Sequence, residues 1–220
     1  MNAASGTSVR GTTSVAVWDP IVRVGHWVLV AAFAIAYLSA EEEGGSPHAL
    51  HVWGGYVAGA IVVLRVLWGF VGPNYARFSD FVCGPITALR YLVDLFRGHA
   101  RRYLGHSPAG GAMVIALLVC LAGTVATGVI AYGERGKGPL AGDAAVIATV
   151  AQAEENEGGG AGDGEKGGGE KSIIGEFHGA LANITLALVV LHVLGVGLAS
   201  YAHRENLVAA MLTGKKHSSE

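Results

Sequence analysis

Residues 173–202 read IIGEFHGALANITLALVVLHVLGVGLASYA, and this stretch decides the fold. About 20 apolar residues suffice to cross the hydrocarbon layer of a bilayer; this run is longer and almost free of charge. It also carries His178 and His192, fourteen positions apart. Fourteen helical residues make close to four full turns, so both imidazoles point to one face, about 21 Å apart along the axis. Ionisable side chains inside a membrane span are costly and usually functional. The stretch predicts a transmembrane helix carrying polar sites at two levels.

Three more runs are long enough to span a bilayer: about Ile21 to Ala40, Ala49 to Val71 and Pro108 to Tyr132. The composition agrees. Of 220 residues, 51% are hydrophobic and only 15% charged, against about a quarter charged in a soluble domain. A net charge of −2 says nothing about partners, and nothing points to nucleic acid. No β-barrel alternation is present, so helices are the way to satisfy the backbone in lipid. The fold class is therefore all-α, a four-transmembrane-helix bundle. Its start and stop signals are Asp19-Pro20 before the first span, Gly72-Pro73 after the second and Ser107-Pro108 before the third. The first run ends Tyr37-Leu38-Ser39-Ala40; cleavage after Ala40 would put Leu38 where a small residue is wanted, so it reads as a retained span.

Charge sets the orientation. Arg77, Arg90, Arg97, Arg101 and Arg102 lie between spans two and three; Arg10 and Arg23 lie near the start, and Arg204, Lys215 and Lys216 near the end. Glu41, Glu42 and Glu43 lie between spans one and two. The basic side is cytoplasmic by the positive-inside rule, and both termini lie there. Gly84 to Gly98 reads as a short amphipathic helix on that face, with Leu89, Leu92, Val93 and Phe96 along one side, lying in the inner headgroup layer. The organisation expected is one four-helix domain over 15–212, a polar tail over 1–14, an outer loop over 133–172 and a tail over 213–220. Within the loop, Asp143 to Ala153 is a candidate surface helix. Residues 158–170 are glycine and acid with almost nothing apolar, a composition that cannot bury a core.

The first and second spans add His26 and His51. His26 lies about 9 Å into its span from the cytoplasmic side and His192 roughly 15 Å. His51 lies about 3 Å from the outer side and His178 about 8 Å. Allowing for tilt and loose helix ends, the four make two levels. Facing side chains in a helix bundle build cofactor sites. Two neutral imidazoles at each level suit two bis-histidine haems, with His26, His51, His178 and His192 as iron ligands. Glycines near the ligands leave room for a flat ring: Gly54 and Gly55 after His51, Gly195 after His192, and Gly25 and Gly179 beside His26 and His178. Arg65, fourteen residues after His51, and Arg23, near His26, are candidate donors to a haem propionate, or else snorkel to headgroups. His48 and His106 sit at helix entrances, and His99, His203 and His217 in polar ends; none is assigned to iron. No Cys-x-x-Cys-His run exists, which excludes covalent haem. Cys83 and Cys120 read as apolar fillers rather than a disulfide.

Several motifs together resemble the bacterial cytochrome b561 and nickel–iron hydrogenase cytochrome b family. They are Val17-Trp18-Asp19, Arg23-Val24-Gly25-His26-Trp27, His51-Val52-Trp53-Gly54-Gly55-Tyr56, Arg65 through Gly72, Tyr91, Tyr103 through Gly110, Phe177-His178-Gly179, and Ser200 through Met211. The resemblance implies a haem b protein of the bacterial inner membrane that trades electrons with quinone, with His26 facing His192 and His51 facing His178. The acidic, glycine-rich outer loop departs from the family pattern.

The expected function is transfer of electrons between the quinone pool and a periplasmic partner, a cytochrome c or a redox enzyme subunit, through two non-covalent haem b groups. An electron-transfer subunit is favoured over a stand-alone enzyme, and a homodimer is compatible with the reading. The acidic loop suits a basic partner. Tyr103 and His106 are weak candidates for quinone contact. Rival readings are a haem-dependent oxidoreductase acting on superoxide, a histidine-based metal-ion transporter or sensor, and a haem-free anchor for a periplasmic enzyme.

Overall fold

The structure, a computed structural model, describes residues 14–40, 42–43, 46–141 and 172–217. The candidate helix at Asp143 to Ala153, the acidic segment after it and nearly all of the N-terminal tail lie outside the described residues. Those described form six α-helices: α1 Pro20–Leu38, α2 Ala49–Val71, α3 Pro85–Phe96, α4 Pro108–Glu134, α5 Ile173–His203 and α6 Leu207–Thr213. Strands are short: β1 Ser14–Ala16 pairs antiparallel with β4 Lys215–His217, and β2 Glu42–Glu43 with β3 Ser46–Pro47.

Helices α1, α2, α4 and α5 are long and apolar enough to cross a membrane. Large apolar side chains stand outward along them: Val24 is 63% exposed, Trp53 68% and Leu194 63%. Apolar surface on that scale needs lipid around it. The protein is a helical membrane bundle embedded by these four spans.

The caps explain where the spans begin. Asp19 Oδ1 accepts from the backbone N–H of Ile21 at 2.9 Å and of Val22 at 3.1 Å, with Pro20 as first helical residue of α1. Ser107 Oγ accepts from Gly110 N at 3.2 Å at the head of α4. Ser172 Oγ does the same for Gly175 N at 3.1 Å before α5, and donates to Glu134 Oε2 at 2.5 Å. The end of α4 and the start of α5 are thereby held together.

The chain forms two compact units. Within the described residues one comprises 14–24, 68–112 and 195–217, the other 25–67 and 113–194. In the first, Gly84 caps α3 with Pro85 at its first turn. Ala88, Tyr91 and Leu95 are buried, while Leu89, Leu92, Val93 and Phe96 stand exposed on the apolar side. Residues 215–217, expected as tail, instead pair with residues 14–16, and Val17 N donates to Gly214 O at 2.8 Å. Gly214 ends α6 at φ +80°, a conformation that favours glycine, and a side chain there would press on Trp18 O and Arg23. Asn206 caps the other end of α6, accepting from Ala209 N at 2.8 Å.

In the second unit Gly59 admits Val125, and Gly123 admits Leu181. Thr185, fully buried, donates to Leu181 O at 2.8 Å and meets the hydroxyl of Thr124 at 3.2 Å. Tyr37 Oη donates to Asn183 Oδ1 at 2.8 Å. Small residues and paired hydroxyls are the usual means of close helix contact in lipid.

An ion cluster closes the first unit. Arg102 donates to Glu205, whose other oxygen lies 3.7 Å from Lys216 Nζ; that ammonium also donates to Tyr103 O at 3.2 Å. Lys216 is only 7% exposed. Burial pushes it below the usual lysine range, Glu205 pulls it back, and Arg102 adds to the depression. The folded chain therefore releases this proton at lower pH than the unfolded chain, and between the two values stability from this group rises with pH. Glu205→Gln leaves the buried ammonium without its counter-ion and costs about 2 kcal/mol at neutral pH. Thermal melts in detergent test this: the deficit of the variant should narrow as the pH is raised towards the lysine range.

Candidate functional site

His26 lies on α1, His51 on α2, and His178 and His192 on α5, all in the second unit. The structure brings His51 to His178, ring centroids 5.8 Å apart, and His26 to His192, centroids 6.5 Å apart.

What holds the rings differs between the pairs. His51 Nδ1 lies 2.8 Å from the carbonyl of Ala36, in the last turn of α1, where carbonyls have lost their helical donors. His178 Nδ1 lies 2.9 Å from the carbonyl of Thr124 on α4. A carbonyl oxygen only accepts, so each Nδ1 carries the proton and donates it. Nε2 is then the nitrogen left with a lone pair on both rings. His26 Nδ1, by contrast, is buried with no partner among the described residues.

Helix α4 supplies no histidine yet shapes this site. Thr127 Oγ1 donates to Gly123 O at 2.8 Å and stands 3.4 Å from His178 Nδ1. A side chain at Gly128 would come within 2.9 Å of His178 Cε1 and 3.1 Å of Nδ1. Only glycine there lets the imidazole reach the Thr124 carbonyl. Sequence reasoning missed these residues, although Thr124, Thr127 and Gly128 have the i, i+3, i+4 spacing of one helix face.

A metal ion bonded to one nitrogen of each ring at about 2 Å sets the imidazole centroids roughly 6 Å apart. Both observed spacings suit that. A side chain added at Gly55, Gly179 or Gly195 would meet nothing within 4 Å. Paired imidazoles at these spacings and open space at Gly55 and Gly179 fit a flat macrocycle between the rings; Gly195 is exposed.

Other expected site residues have different surroundings. Gly54, read as room for the ring, makes room for α1: a Cβ there would lie 3.0 Å from Ala32 O and 3.1 Å from Ala36 N. Gly25 faces Ile61 at an ordinary 3.7 Å. Arg23, read as a donor to a propionate or to headgroups, donates from Nε to Met211 O at 3.3 Å and from a terminal nitrogen to Leu212 O. It caps the end of α6 with positive charge. Both terminal nitrogens of Arg65 on α2 are buried.

Histidines of the first unit are engaged elsewhere. His106 packs between Trp18 and Phe81, with centroids 4.7 and 4.4 Å away. His203 Nε2 lies 3.2 Å from Tyr91 Oη, and the Tyr91 ring meets Tyr103 at 5.7 Å. Burial raises the Tyr91 phenol above its usual range, against a hydrogen bond with Ser107 that lowers it.

These features define a class: a four-span helical membrane protein with imidazole pairs inside its bundle. The sequence profile described as prokaryotic cytochrome b561 matches residues 17–214, and the chain belongs to that family. Membership brings haem b binding and electron transfer within a membrane. No curated protein and no solved structure matches the chain.

Gly54 and Gly55 give a contrast to test. Gly54→Val should drive α2 off the last turn of α1 and lower the melting temperature in detergent. Gly55→Ala should leave the melting of the haem-free polypeptide unchanged.

Proposed function

We propose that this chain is a di-haem cytochrome b that exchanges electrons between the quinone pool and a periplasmic redox partner. The observation carrying the proposal is the double pairing of intramembrane histidines, at 5.8 and 6.5 Å between ring centroids, with both Nδ1 atoms of one pair committed to backbone carbonyls.

His51 and His178 would hold one haem b and His26 and His192 the other. Held between two imidazoles, haem iron supplies a reversible one-electron couple without an open coordination position. The chain's residues do the rest. Ala36 and Thr124 fix ring orientation through their carbonyls. Gly55 and Gly179 would leave space for the ring, and the buried guanidinium of Arg65 would donate to a propionate. The lipid-facing spans keep water from the ligands.

Among the described residues no group of three or more His, Cys, Asp or Glu side chains is placed to hold a metal ion. Zinc and copper sites ordinarily need three or four protein ligands, which weighs against the transporter and sensor reading. Charge asymmetry supports cytoplasmic termini and an outward-facing acidic loop. That loop, with Glu154, Glu155, Glu157, Asp163, Glu165 and Glu170, suits a basic partner such as a cytochrome c.

Haem content tests the core of the proposal. The purified protein should carry two low-spin b haems per chain by reduced-minus-oxidised spectrum and pyridine haemochrome. His192→Ala should keep only the haem of the His51–His178 pair, and His178→Ala only that of the other pair. Full haem retention by either variant overturns the ligand assignment. For the partner, transfer to a basic cytochrome c in stopped flow should slow as salt is raised; a rate indifferent to ionic strength rejects that pairing.

A further inference from the structure

We propose that α3 carries a selective site for an anionic phospholipid of the surrounding membrane, with Arg90 and Arg97 on the headgroup phosphate and Ile86, Leu89 and Val93 along its chains. The proposal is independent of the histidine pairs.

Helix α3 lies between the end of α2 at Val71 and the start of α4 at Pro108, so it joins two spans on one side of the bilayer. Its buried face, Ala88, Tyr91 and Leu95, fixes it within its own unit, and Tyr91 Oη lies 3.2 Å from His203 Nε2. The opposite arc is apolar and outward, with Leu89 62% and Phe96 75% exposed. An arc of that kind belongs in the headgroup and upper acyl layer.

Selectivity comes from the edge of the arc. Arg90 and Arg97 are separated by seven positions, so they stand about 20° apart around the axis and about 10.5 Å apart along it. Ile86 and Val93 repeat that spacing about 40° further round, on the apolar side. Both arginines are exposed, and among the described residues neither has an ion-pair partner. An open recess of about 450 Å³ along this edge is lined by Ile86, Leu89, Arg90, Val93, Asp94 and Arg97. A guanidinium beside an apolar strip meets a phosphate bidentately while the chains lie on the strip. The quaternary amine of a zwitterionic choline headgroup opposes the same arginines; a headgroup of net negative charge does not. Asp94, on the side of Arg90 away from the apolar arc, weakens the attraction without blocking it. Each arginine at an anionic membrane surface is worth about a fivefold change in affinity.

Lipid titration of the full-length protein in detergent, with adducts counted by native mass spectrometry, tests this. Phosphatidylglycerol should fill one saturable site per chain, with phosphatidylcholine of the same chains at least tenfold weaker. Arg90→Gln/Arg97→Gln should abolish that preference, while Arg101→Gln, at an exposed arginine outside the helix, should keep it. Asp94→Asn should tighten phosphatidylglycerol binding, and Leu89→Gln should weaken both lipids. Inorganic phosphate, which has no chains, should not compete. Equal binding of the two lipids, an unchanged preference in the double arginine variant, or displacement by phosphate overturns the inference. So does a dimer in detergent that Leu89→Gln converts to monomer, because a second copy of the chain then covers this face.

Discussion

In hydrocarbon a polar group has few places to go, and the hydrogen bond to a helix carbonyl governs this protein. Water is absent, so each backbone N–H is committed within its own helix. What remain as acceptors are second lone pairs along a helix and the unsatisfied carbonyls of its last turn. The imidazoles use one of each. His51 takes the carbonyl of Ala36 at the end of α1, and His178 takes a lone pair of Thr124 in the middle of α4. Arg23 follows the same logic outside the site, placing its guanidinium on the terminal carbonyls of α6. The location of helix ends thus decides which acceptors these side chains reach.

Glycine works by two distinct mechanisms around these contacts. Gly54 and Gly128 are close-approach positions, the first letting α1 reach α2 and the second letting an imidazole reach a carbonyl. Gly54 stands three residues after His51, and both meet the last turn of α1 around Ala36. The packing of the two helices and the orientation of the ring are therefore one event. Gly55 and Gly179 are different, because the space where a side chain would stand is empty. A contact-making glycine should be intolerant of any substitution in the bare polypeptide; a space-making one should matter only when something fills the space.

Local signals were legible in the amino-acid sequence because they depend on neighbours in the chain. Four spans, the Asp19 and Ser107 caps and the bounds of α3 follow from hydropathy, capping chemistry and a glycine at each end. The proximity of His26 to His192 and of His51 to His178 follows from rise and phase along long regular helices. Three-dimensional contacts were not legible. Strands β1 and β4 have three residues each and lie at opposite ends of the chain, so no periodicity announces them. The partners of Arg23 are 188 and 189 positions away. Gly54 and Gly55 are adjacent glycines with opposite roles, and only the path of α1 distinguishes them. Thr127 and Gly128 resemble ordinary small residues of a membrane helix until His178 stands against them.

Stability alone does not account for the histidines. A hydrogen bond within a protein contributes about 1 kcal/mol net, while a buried polar group left without a partner costs about 1–3 kcal/mol. The His26 Nδ1 atom is on the unfavourable side of that balance. For His51 and His178 the carbonyl contacts satisfy only one nitrogen of each ring. Leucine or phenylalanine at all four positions would fill lipid-facing or interhelical space without that cost. Four imidazoles in two pairs at metal-bridging spacing are hard to rationalise as helix glue, which Thr124, Thr185, Tyr37 and Asn183 already supply with single short contacts. Iron held by each pair, as proposed, would offset the cost of ring nitrogens that no carbonyl takes.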